Sequence, residues 1–393
     1  MAAVSKPSAS WSAAANEGLA LEPLAKEIGA YKSTGSFRDD YAHFCTLLEV
    51  KAHPSVVSST NPKAAVPAAD EAKAEVKGEG KEGEAKAGEA KAKGSAPAAP
   101  AEHRPESLIV RHVVFDVGTA RALGCVLPLC ESMATLVLYG AALDDRAIDA
   151  LASALARTRV QTLQLDYNGG AAKNATAFAR FASDKMPLTA LSLRGNQLGD
   201  AGARALAAAL HSNTTVAFLN LFDNGITDGV ELATALRYNV ALKSISLSNN
   251  RVGDETALAL FEALSAYELT PAADKAHCAA AAVIEAQIKF DKSKKAKDKA
   301  KEELPALSAP FAHGETRWCR GNAVLQFANL AHNAVTSDGV ARIAALLRNR
   351  RADLQVGLGV TIQEINLQRN GAVDAHGEVA TELLRLTDSK VSF

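Results

Sequence analysis

The sequence contains few aromatic residues and no excess of either charge. Phe, Trp and Tyr together make up 5% of the 393 residues, and 43 basic side chains are balanced by 44 acidic ones, for a formal net charge of -1. A protein that binds nucleic acid usually has a surplus of basic residues, so this balance indicates no nucleic-acid partner. Apolar residues still reach 48%, which is enough for a continuous core of small, closely stacked helices.

Long apolar runs are missing as well. No stretch of about 18 apolar residues predicts a transmembrane helix, and the first residues, MAAVSKPSASWSAAANEG, lack the apolar region of a secretory leader. The five cysteines are scattered along the chain and odd in number, which is typical of free thiols in a reducing compartment. We therefore expect a cytoplasmic protein without a membrane partner.

Motifs for catalysis and cofactor binding are also absent. The sequence contains no G-x-x-x-x-G-K-[ST], no G-x-S-x-G and no H-E-x-x-H. Cys125 and Cys130 are spaced C-x4-C without a second pair, which favours packed thiols over zinc ligands. The sequence predicts no catalytic residue, no cofactor, no metal site and no small-molecule substrate.

A short phrase, L-x-L-x-x-N, returns along the chain at a nearly constant spacing. Its clearest copies end at Asn168, Asn196, Asn224 and Asn250, which lie 28, 28 and 26 residues apart. A stretch rich in alanine and leucine, such as GDAGARALAAAL, follows the asparagine. Fixed self-similarity with a period of about 20–30 residues is typical of solenoids, and this consensus is that of the leucine-rich repeat.

Four weaker units bring the predicted total to eight. Two of them end late in the chain, and two precede the clear copies, with Gly118 and Ala141 in place of the asparagine. In the first unit we assign Val110, Val113 and Phe115 to the apolar positions. The predicted fold is an α/β leucine-rich repeat solenoid. Parallel strands stack about 4.8 Å apart and packed helices about 8–10 Å apart, so the strands line the inside of a horseshoe.

The repeated asparagines are predicted to be structural. Each follows a strand where the chain bends into the core, so that its amide can pair backbone groups that would cost about 1–3 kcal/mol each if buried unpaired. This asparagine ladder comprises Asn168, Asn196, Asn224, Asn250, Asn333 and Asn370. Asn249, one position earlier in its repeat, serves as a contrast: we expect Asn249→Ala to cost under about 0.5 kcal/mol, as at an ordinary surface site.

Composition divides the chain into five segments. Asn333 follows Asn250 by 83 positions, which far exceeds the period of the repeats and indicates an insertion. Residues 63–93 hold seven lysines and seven acidic residues with no aromatic, a composition that cannot bury enough apolar surface to fold. The segments are a small, partly disordered N-terminal module (1–57), a low-complexity tether (58–105), repeats (106–264), a charged helical insertion (265–321) and C-terminal repeats (322–393).

Two surfaces are candidate sites for binding other proteins. Aromatic anchors rimmed by charged residues are typical of the centre of a protein interface. On the predicted concave wall these are Asp166, Tyr167, Arg194, Asn220, Phe222, Asp223 and Ser248. On the predicted insertion helix an apolar stripe and the lysines that follow it are Val283, Ile284, Ile288, Lys294 and Lys295. A solvated helix is the simpler reading of the lysines.

The order of these features resembles one family of repeat proteins. The stretch GDAGARALAAAL resembles the ribonuclease-inhibitor subclass of leucine-rich repeats. The exit FEALSAYELT into a lysine-rich insertion, followed by NLAHNAVTSDGV and INLQRNG, resembles the leucine-rich repeat-containing protein seventy-one family over residues 106–386. That family is associated with motile cilia, so the resemblance implies a non-enzymatic structural role in the axoneme, with axonemal proteins as partners.

Two other functions remain open at this stage. Ran-directed GTPase activators are built on similar repeats, but they end in a strongly acidic tail, whereas this sequence ends in LLRLTDSKVSF. Inhibitor or sensor modules such as ribonuclease inhibitor are rich in cysteine and strongly acidic, and this sequence is neither. An axonemal scaffold is therefore the favoured interpretation.

Overall fold

The computed structural model describes residues 27, 28, 30–58, 106–169, 175–294, 304–354, 358, 361–371 and 373–393. The disorder predicted before these residues and the tether predicted over 58–105 lie outside the described residues, except that Ser58 ends a helix. In the part of the chain that is described, no helix is long and apolar enough to cross a membrane.

Nine parallel strands form one continuous sheet. They follow one another in chain order, except that the three strands of the insertion belong to a separate sheet. The strands are β1 (Ser107–Arg111), β2 (Thr135–Tyr139), β3 (Thr162–Gln164), β4 (Ala190–Ser192), β5 (Phe218–Asn220), β6 (Ser244–Ser246), β10 (Phe327–Asn329), β11 (Glu364–Asn366) and β12 (Val391–Ser392). The parallel solenoid predicted from the repeats is confirmed.

Helices connect the strands and pack together on one side of the sheet. They are α3 (Val117–Val126), α4 (Asp145–Leu155), α5 (Gly199–Leu210), α6 (Val230–Ala235), α7 (Asp254–Leu264), α9 (Ser337–Leu354) and α10 (Glu378–Leu386), with 3-10 turns at Leu127–Leu129 and Ala175–Ala182. Helix α4 shows why they form: Asp144 caps it by accepting a hydrogen bond from the backbone N–H of Ala147 at 2.7 Å. Its residues Ile148, Leu151 and Leu155 recur at helical spacing and are fully buried.

The predicted register of the first repeat is wrong. Strand β1 pairs Leu108 with Leu136 and Val110 with Leu138. The position equivalent to the asparagine is therefore Val113, five residues before the predicted Gly118. The spacing of Val110, Val113 and Phe115 imitates the consensus, but only Leu108 and Val110 alternate inward on a strand, and Phe115 fills the core after the bend.

A ninth strand was not predicted. Strand β12 pairs with β11 through Ile365 and Val391, so Val391 and Phe393 occupy the two leucine positions of a further repeat. The sequence search depended on the asparagine three residues later. At Phe393 the phrase L-x-L-x-x-N is present only as far as its second apolar position, so a search for the complete phrase did not find this repeat.

The insertion contains a small sheet in addition to the predicted helix. Helix α8 (Pro271–Lys294) starts at a proline, as predicted. Strands β7 (Tyr267–Glu268), β8 (Phe311–His313) and β9 (Thr316–Cys319) form an antiparallel sheet in the order β7-β9-β8. The turn between β8 and β9 uses Gly314 at φ 59°. The predicted helical insertion at 265–321 therefore also contains strands, which were not predicted because this short hairpin gave no repeated apolar pattern.

The N-terminal residues cap the first repeat. Helix α1 (Phe37–Leu47) packs against α3, and the short helix α2 (Pro54–Ser58) lies beside β1. Phe37, Tyr41 and Phe44 are buried in the same core cluster as the repeats. An amphipathic helix beside an open solenoid end buries its apolar face there. These residues therefore do not form the separate module that was predicted.

Candidate protein-binding surface

The sheet face that points away from the helices is here called the inner wall. The position of the ladder asparagine, or of the residue that replaces it, is here called the ladder position. Because alternate residues of a strand share a face, side chains reach the inner wall from the residues six, four and two before the ladder position. The residues two before the ladder position are, in order, Arg111, Tyr139, Asp166, Arg194, Phe222, Ser248, Ala331 and Gln368. This row contains four of the seven predicted concave residues.

The structure brings Asp166, Arg194 and Phe222 together. The carboxylate of Asp166, only 8% exposed, accepts hydrogen bonds from the Ser192 hydroxyl at 2.6 Å and the Arg194 backbone N–H at 3.1 Å. Burial raises the pKa of Asp166, and the two hydrogen bonds oppose that rise. The Arg194 guanidinium carbon lies 4.7 Å from the centre of the Phe222 ring, in a cation–π contact. Arg194 is therefore held in one orientation on the wall.

Tyr167 and Asp223 do not continue the alternation of the strands, contrary to the prediction. Both precede a ladder asparagine and have left-handed backbones, with φ of 58° and 56°. Each of the first eight repeats has such a residue where the strand bends into the core: His112, Gly140, Tyr167, Gly195, Asp223, Asn249, His332 and Arg369. The Tyr167 ring lies against Gly195, where a side chain would overlap it. Asn249 is therefore not an ordinary surface site, because alanine is strained at φ 56°.

An aromatic row that the sequence analysis missed adjoins this cluster. The ring centres of His112 and Tyr139, and of Tyr139 and Tyr167, are each 5.2 Å apart. These rings come from three successive repeats, and the wrong register of the first repeat hid their alignment. With the register corrected, His112 is recognisable from sequence as the equivalent of Tyr167.

Towards the later repeats, the predicted concave residues include one that is buried and omit two that are exposed. Ser248 is buried and so offers little surface to a partner, whereas Asn220 is half-buried on the wall. Phe218 and Phe327 are 51% and 40% exposed, and they lie on the wall at the first residue of their strands. They were missed because only positions after the first leucine of each repeat were assigned to the wall.

The predicted apolar stripe of the insertion helix is split between two faces. Ile284 is only 4% exposed and, with the buried residues His277 and Ala280, forms the face turned towards the protein. Val283 is 41% exposed and Ile288 is half-buried. Lys294 ends the helix with its side chain outside the described residues, where Lys295 also lies. Ile284 is therefore unsuited to contact a partner.

The insertion is docked on the solenoid by two cation–π contacts. The guanidinium carbons of Arg237 and Arg350 lie 4.8 Å and 4.4 Å from the ring centres of Tyr267 and Trp318. Arg237 follows α6 and Arg350 belongs to α9, whereas both rings come from the inserted sheet. The insertion therefore has a defined position beside the repeats.

A buried cysteine and a buried histidine meet inside the insertion. The Cys319 sulfur lies 3.8 Å from His277 Nδ1 and donates a hydrogen bond to the Ser308 carbonyl at 3.2 Å. Burial raises the pKa of the Cys319 thiol and lowers the pKa of His277. Both groups are therefore neutral, and the reactive species, a thiolate, is disfavoured.

The ladder asparagines pair backbone groups of neighbouring repeats. The Asn224 carbonyl oxygen accepts from the backbone N–H of Asn196 at 3.0 Å, and its amide donates to the Leu193 carbonyl at 2.9 Å. A second ladder, which the sequence analysis missed, runs through Asn213, Asn239 and Asn322 ahead of the strands. The recurring N-x-x-[VL] before a strand is the sequence signal that was available.

Within the described residues, the structure offers no group of three or more His, Cys, Asp or Glu side chains that could hold a metal ion. A cavity of about 20 Å³ between the insertion and the end of α6 is lined by Arg237, Asn239, Arg320 and Asn322, among others. This volume accommodates about one water molecule. It is too small for a substrate or cofactor.

Comparison with known proteins agrees with the repeat architecture. A family model described as Leucine Rich repeat matches residues 185–207, 212–229 and 238–261. This chain is a leucine-rich repeat protein. Repeat solenoids of this kind present extended surfaces for binding other proteins. The leucine-rich repeats of this chain therefore form a protein–protein interaction module.

Individual relatives resemble only part of this leucine-rich repeat protein. Over 147 residues the chain is 30% identical to NACHT, LRR and PYD domains-containing protein 3 of Rattus norvegicus and 31% identical to that of Bos taurus. Each match covers 36% of this chain but only 14% of the relative. An internalin structure from Listeria monocytogenes matches with 14% identity and a TM-score of 0.27, covering 73% of this chain and 86% of that chain.

Proposed function

We propose that this leucine-rich repeat protein is a non-enzymatic scaffold of the motile ciliary axoneme, and that it binds axonemal proteins through the inner wall. The observation that carries the proposal is the cluster of Tyr139, Tyr167, Arg194 and Phe222 on adjacent repeats. Tyrosine and arginine are the residues most enriched where protein interfaces concentrate their binding energy.

The cluster is ordered before any partner arrives. Tyr167 is fixed between the Tyr139 ring and the backbone of Gly195, and Arg194 rests on the Phe222 ring. Binding normally costs about 0.5–1.5 kcal/mol for each flexible side chain that becomes immobile. A wall whose side chains are already held avoids much of that cost. This favours a scaffold that keeps its partner in one position.

The axonemal part of the proposal is supported by the resemblance in sequence. The exit Ala266–Tyr267–Glu268–Leu269–Thr270 into a lysine-rich helix is its most specific element. Tyr267 and Glu268 form strand β7 of the insertion. That family has a structural association with motile cilia and no known enzymatic activity, which agrees with a binding wall.

Fractionation of axonemes tests the proposal. We expect the tagged full-length chain to remain with demembranated axonemes after detergent extraction and to leave only at high salt. The double variant Tyr167→Ser/Arg194→Ser should shift the chain into the detergent fraction, because it removes two anchors of the cluster, the exposed Tyr167 and the half-buried Arg194. Val379→Ser, which changes an exposed residue of α10 on the helical side, is the control. Release of the unaltered chain by detergent alone would contradict the proposal.

A further inference from the structure

We infer that Phe218, Ser244 and Phe327 form a slot on the inner wall for one uncharged apolar side chain of a partner protein. The partner segment is extended, and its backbone carbonyls accept hydrogen bonds from the amides of Asn220 and Asn329. The inference rests on the proposed function, since it names the kind of segment that the wall receives.

The strand register places the two phenylalanines on either side of Ser244. Phe218 pairs with Ser244 across β5 and β6, and Ser244 pairs with Phe327 across β6 and β10. Two strand spacings put the α-carbons of the two phenylalanines about 10 Å apart. A side chain between two rings needs about 7–8 Å, at 3.5–4.0 Å of contact on each side. The small Ser244 side chain leaves the floor of the slot open.

The side-chain amides of Asn220 and Asn329, two residues after Phe218 and Phe327 on the same strands, are oriented by local hydrogen bonds. The side-chain oxygen of Asn220 accepts from the backbone N–H of Phe222 at 3.0 Å, and that of Asn329 accepts from Ala331 at 2.9 Å. With the oxygens engaged, the two Nδ2 groups are the atoms left to bind a partner, and no described residue accepts from them. Two oriented donors at this spacing call for carbonyl acceptors.

The chemistry of the wall selects an extended, uncharged segment. Helical segments use their backbone carbonyls internally, whereas an extended segment leaves them available. It rises about 3.3 Å per residue, so about three residues span the distance between the amides. The inner-wall positions of β5, β6 and β10 carry no charged side chain, and a charge buried there would have no partner. The inserted side chain is therefore neutral and apolar.

A phage-displayed library of random twelve-residue peptides, selected on the full-length chain, tests this inference. We expect the selected peptides to share one Leu, Ile, Phe or Pro with no charged neighbour. Their affinity should fall at least tenfold in the variant Phe218→Ser/Phe327→Ser. It should change less than threefold in Val283→Ser, which removes an exposed apolar side chain outside the wall.

A second pair of variants tests the amide donors. Asn329→Asp keeps the oxygen that accepts from Ala331 and loses the donor, so affinity should fall about tenfold. Asn366→Asp is the matched control: its side-chain oxygen accepts from the Gln368 backbone at 2.8 Å in the same way, but Glu364 replaces the phenylalanine on its strand. Its effect should stay below threefold. Circular dichroism of each variant verifies that the fold is intact.

The outcomes separate this inference from the proposed function. Peptides that bind the Phe218→Ser/Phe327→Ser variant as well as the original chain, but lose affinity on Arg194→Ser, overturn the slot and leave the inner wall as the binding surface. Selected peptides with a charged central residue also overturn the slot. If no peptide is enriched, the slot inference fails as well. The axonemal retention of Tyr167→Ser/Arg194→Ser then decides the proposed function independently.

Discussion

Asparagine has two distinct roles in the repeats, and its position within the repeat decides which one applies. Behind a strand, the side-chain oxygen of Asn224 accepts from the backbone N–H of Asn196 in the preceding repeat, and its amide donates to the Phe222 carbonyl of its own repeat. Asn239 likewise pairs backbone groups ahead of a strand. Asn249 uses the tolerance of asparagine for a left-handed backbone. The same side chain is therefore essential for pairing at two positions and conformational at the third.

Replacement of a ladder asparagine should destabilise the protein more than replacement of its neighbour. Asn224→Ala leaves buried backbone groups without a partner and should lower the free energy of unfolding by about 1–3 kcal/mol. Asn249→Gly keeps the left-handed backbone accessible and should change the free energy of unfolding by less than about 0.5 kcal/mol. Urea unfolding followed by circular dichroism measures both.

The left-handed backbone also changes the expectation for Asn249→Ala. This substitution should cost about 1 kcal/mol, because alanine is strained where glycine is not. The earlier expectation of under about 0.5 kcal/mol was made for an ordinary surface site. Equal stability of the alanine and glycine variants would show that the left-handed turn is not retained in solution.

At the scale of the element, one buried carboxylate fixes the N-terminal cap. Asp40 in α1 accepts hydrogen bonds from the Tyr31 hydroxyl at 2.7 Å and from the Thr34 backbone and hydroxyl at 2.8 Å each. Burial alone would raise the pKa of Asp40, but the hydrogen bonds from Ser33, Thr34 and Tyr31 outweigh it and lower the pKa. The ionised carboxylate therefore holds the loop before α1 against the helix.

The cap should loosen at acid pH while the repeats stay folded. A carboxyl group whose pKa is lower in the folded state contributes stability above its unfolded pKa of about 3.9, and that contribution disappears as the pH falls through the folded value. Hydrogen exchange of residues 37–47, corrected for the intrinsic rate, should show protection that is lost progressively as the pH falls below about 4. Asp40→Asn should weaken the cap by about 1–3 kcal/mol at pH 7 and flatten this dependence. A pH profile unchanged by Asp40→Asn would contradict the role of the carboxylate.

At the scale of the whole molecule, the insertion does not interrupt the stacking of the repeats. The backbone N–H of Asn322 donates to the Ala263 carbonyl at 2.8 Å, so the chain returns where it left. Strand β10 then pairs directly with β6. One core cluster extends from Phe37 in the cap to Val391 in the last strand. The contact between the two ends of the insertion is here called the closure. Stability should depend on it, since each repeat is supported by its neighbours.

Closure depends on a glycine. A side chain at Gly321 would overlap the backbone of Leu264 and the carbonyl of Ser265. Gly321→Ala should therefore lower the free energy of unfolding by about 1–3 kcal/mol through overpacking. Gly371→Ala, at a position with open space around it, should stay within about 0.5 kcal/mol. Equal stability of the two variants in urea unfolding would mean that the ends of the insertion are not held together.

Local patterns were sufficient to predict the solenoid, the ladder after the strands and the inserted helix. Each depends on contacts that recur at a constant spacing, so one alignment of Leu163, Leu191, Leu219 and Ile245 constrains all of them. Prediction failed where a unit departs from the consensus. Val113 and Phe115 imitated a strand in the first repeat, and the repeat that begins at Val391 shows only the two apolar positions of the phrase.

The binding surface depended more on tertiary structure than the fold did. The sequence by itself determined that parallel strands would present a wall and that Asp166, Arg194 and Phe222 would lie on it. Only the tertiary structure decided that Tyr167 turns out of the strand onto Gly195, and that the Trp318 ring meets Arg350. The physical reason is that periodicity determines which face a residue occupies. Contacts between repeats, and with a docked insertion, depend on side-chain packing between residues that no spacing relates.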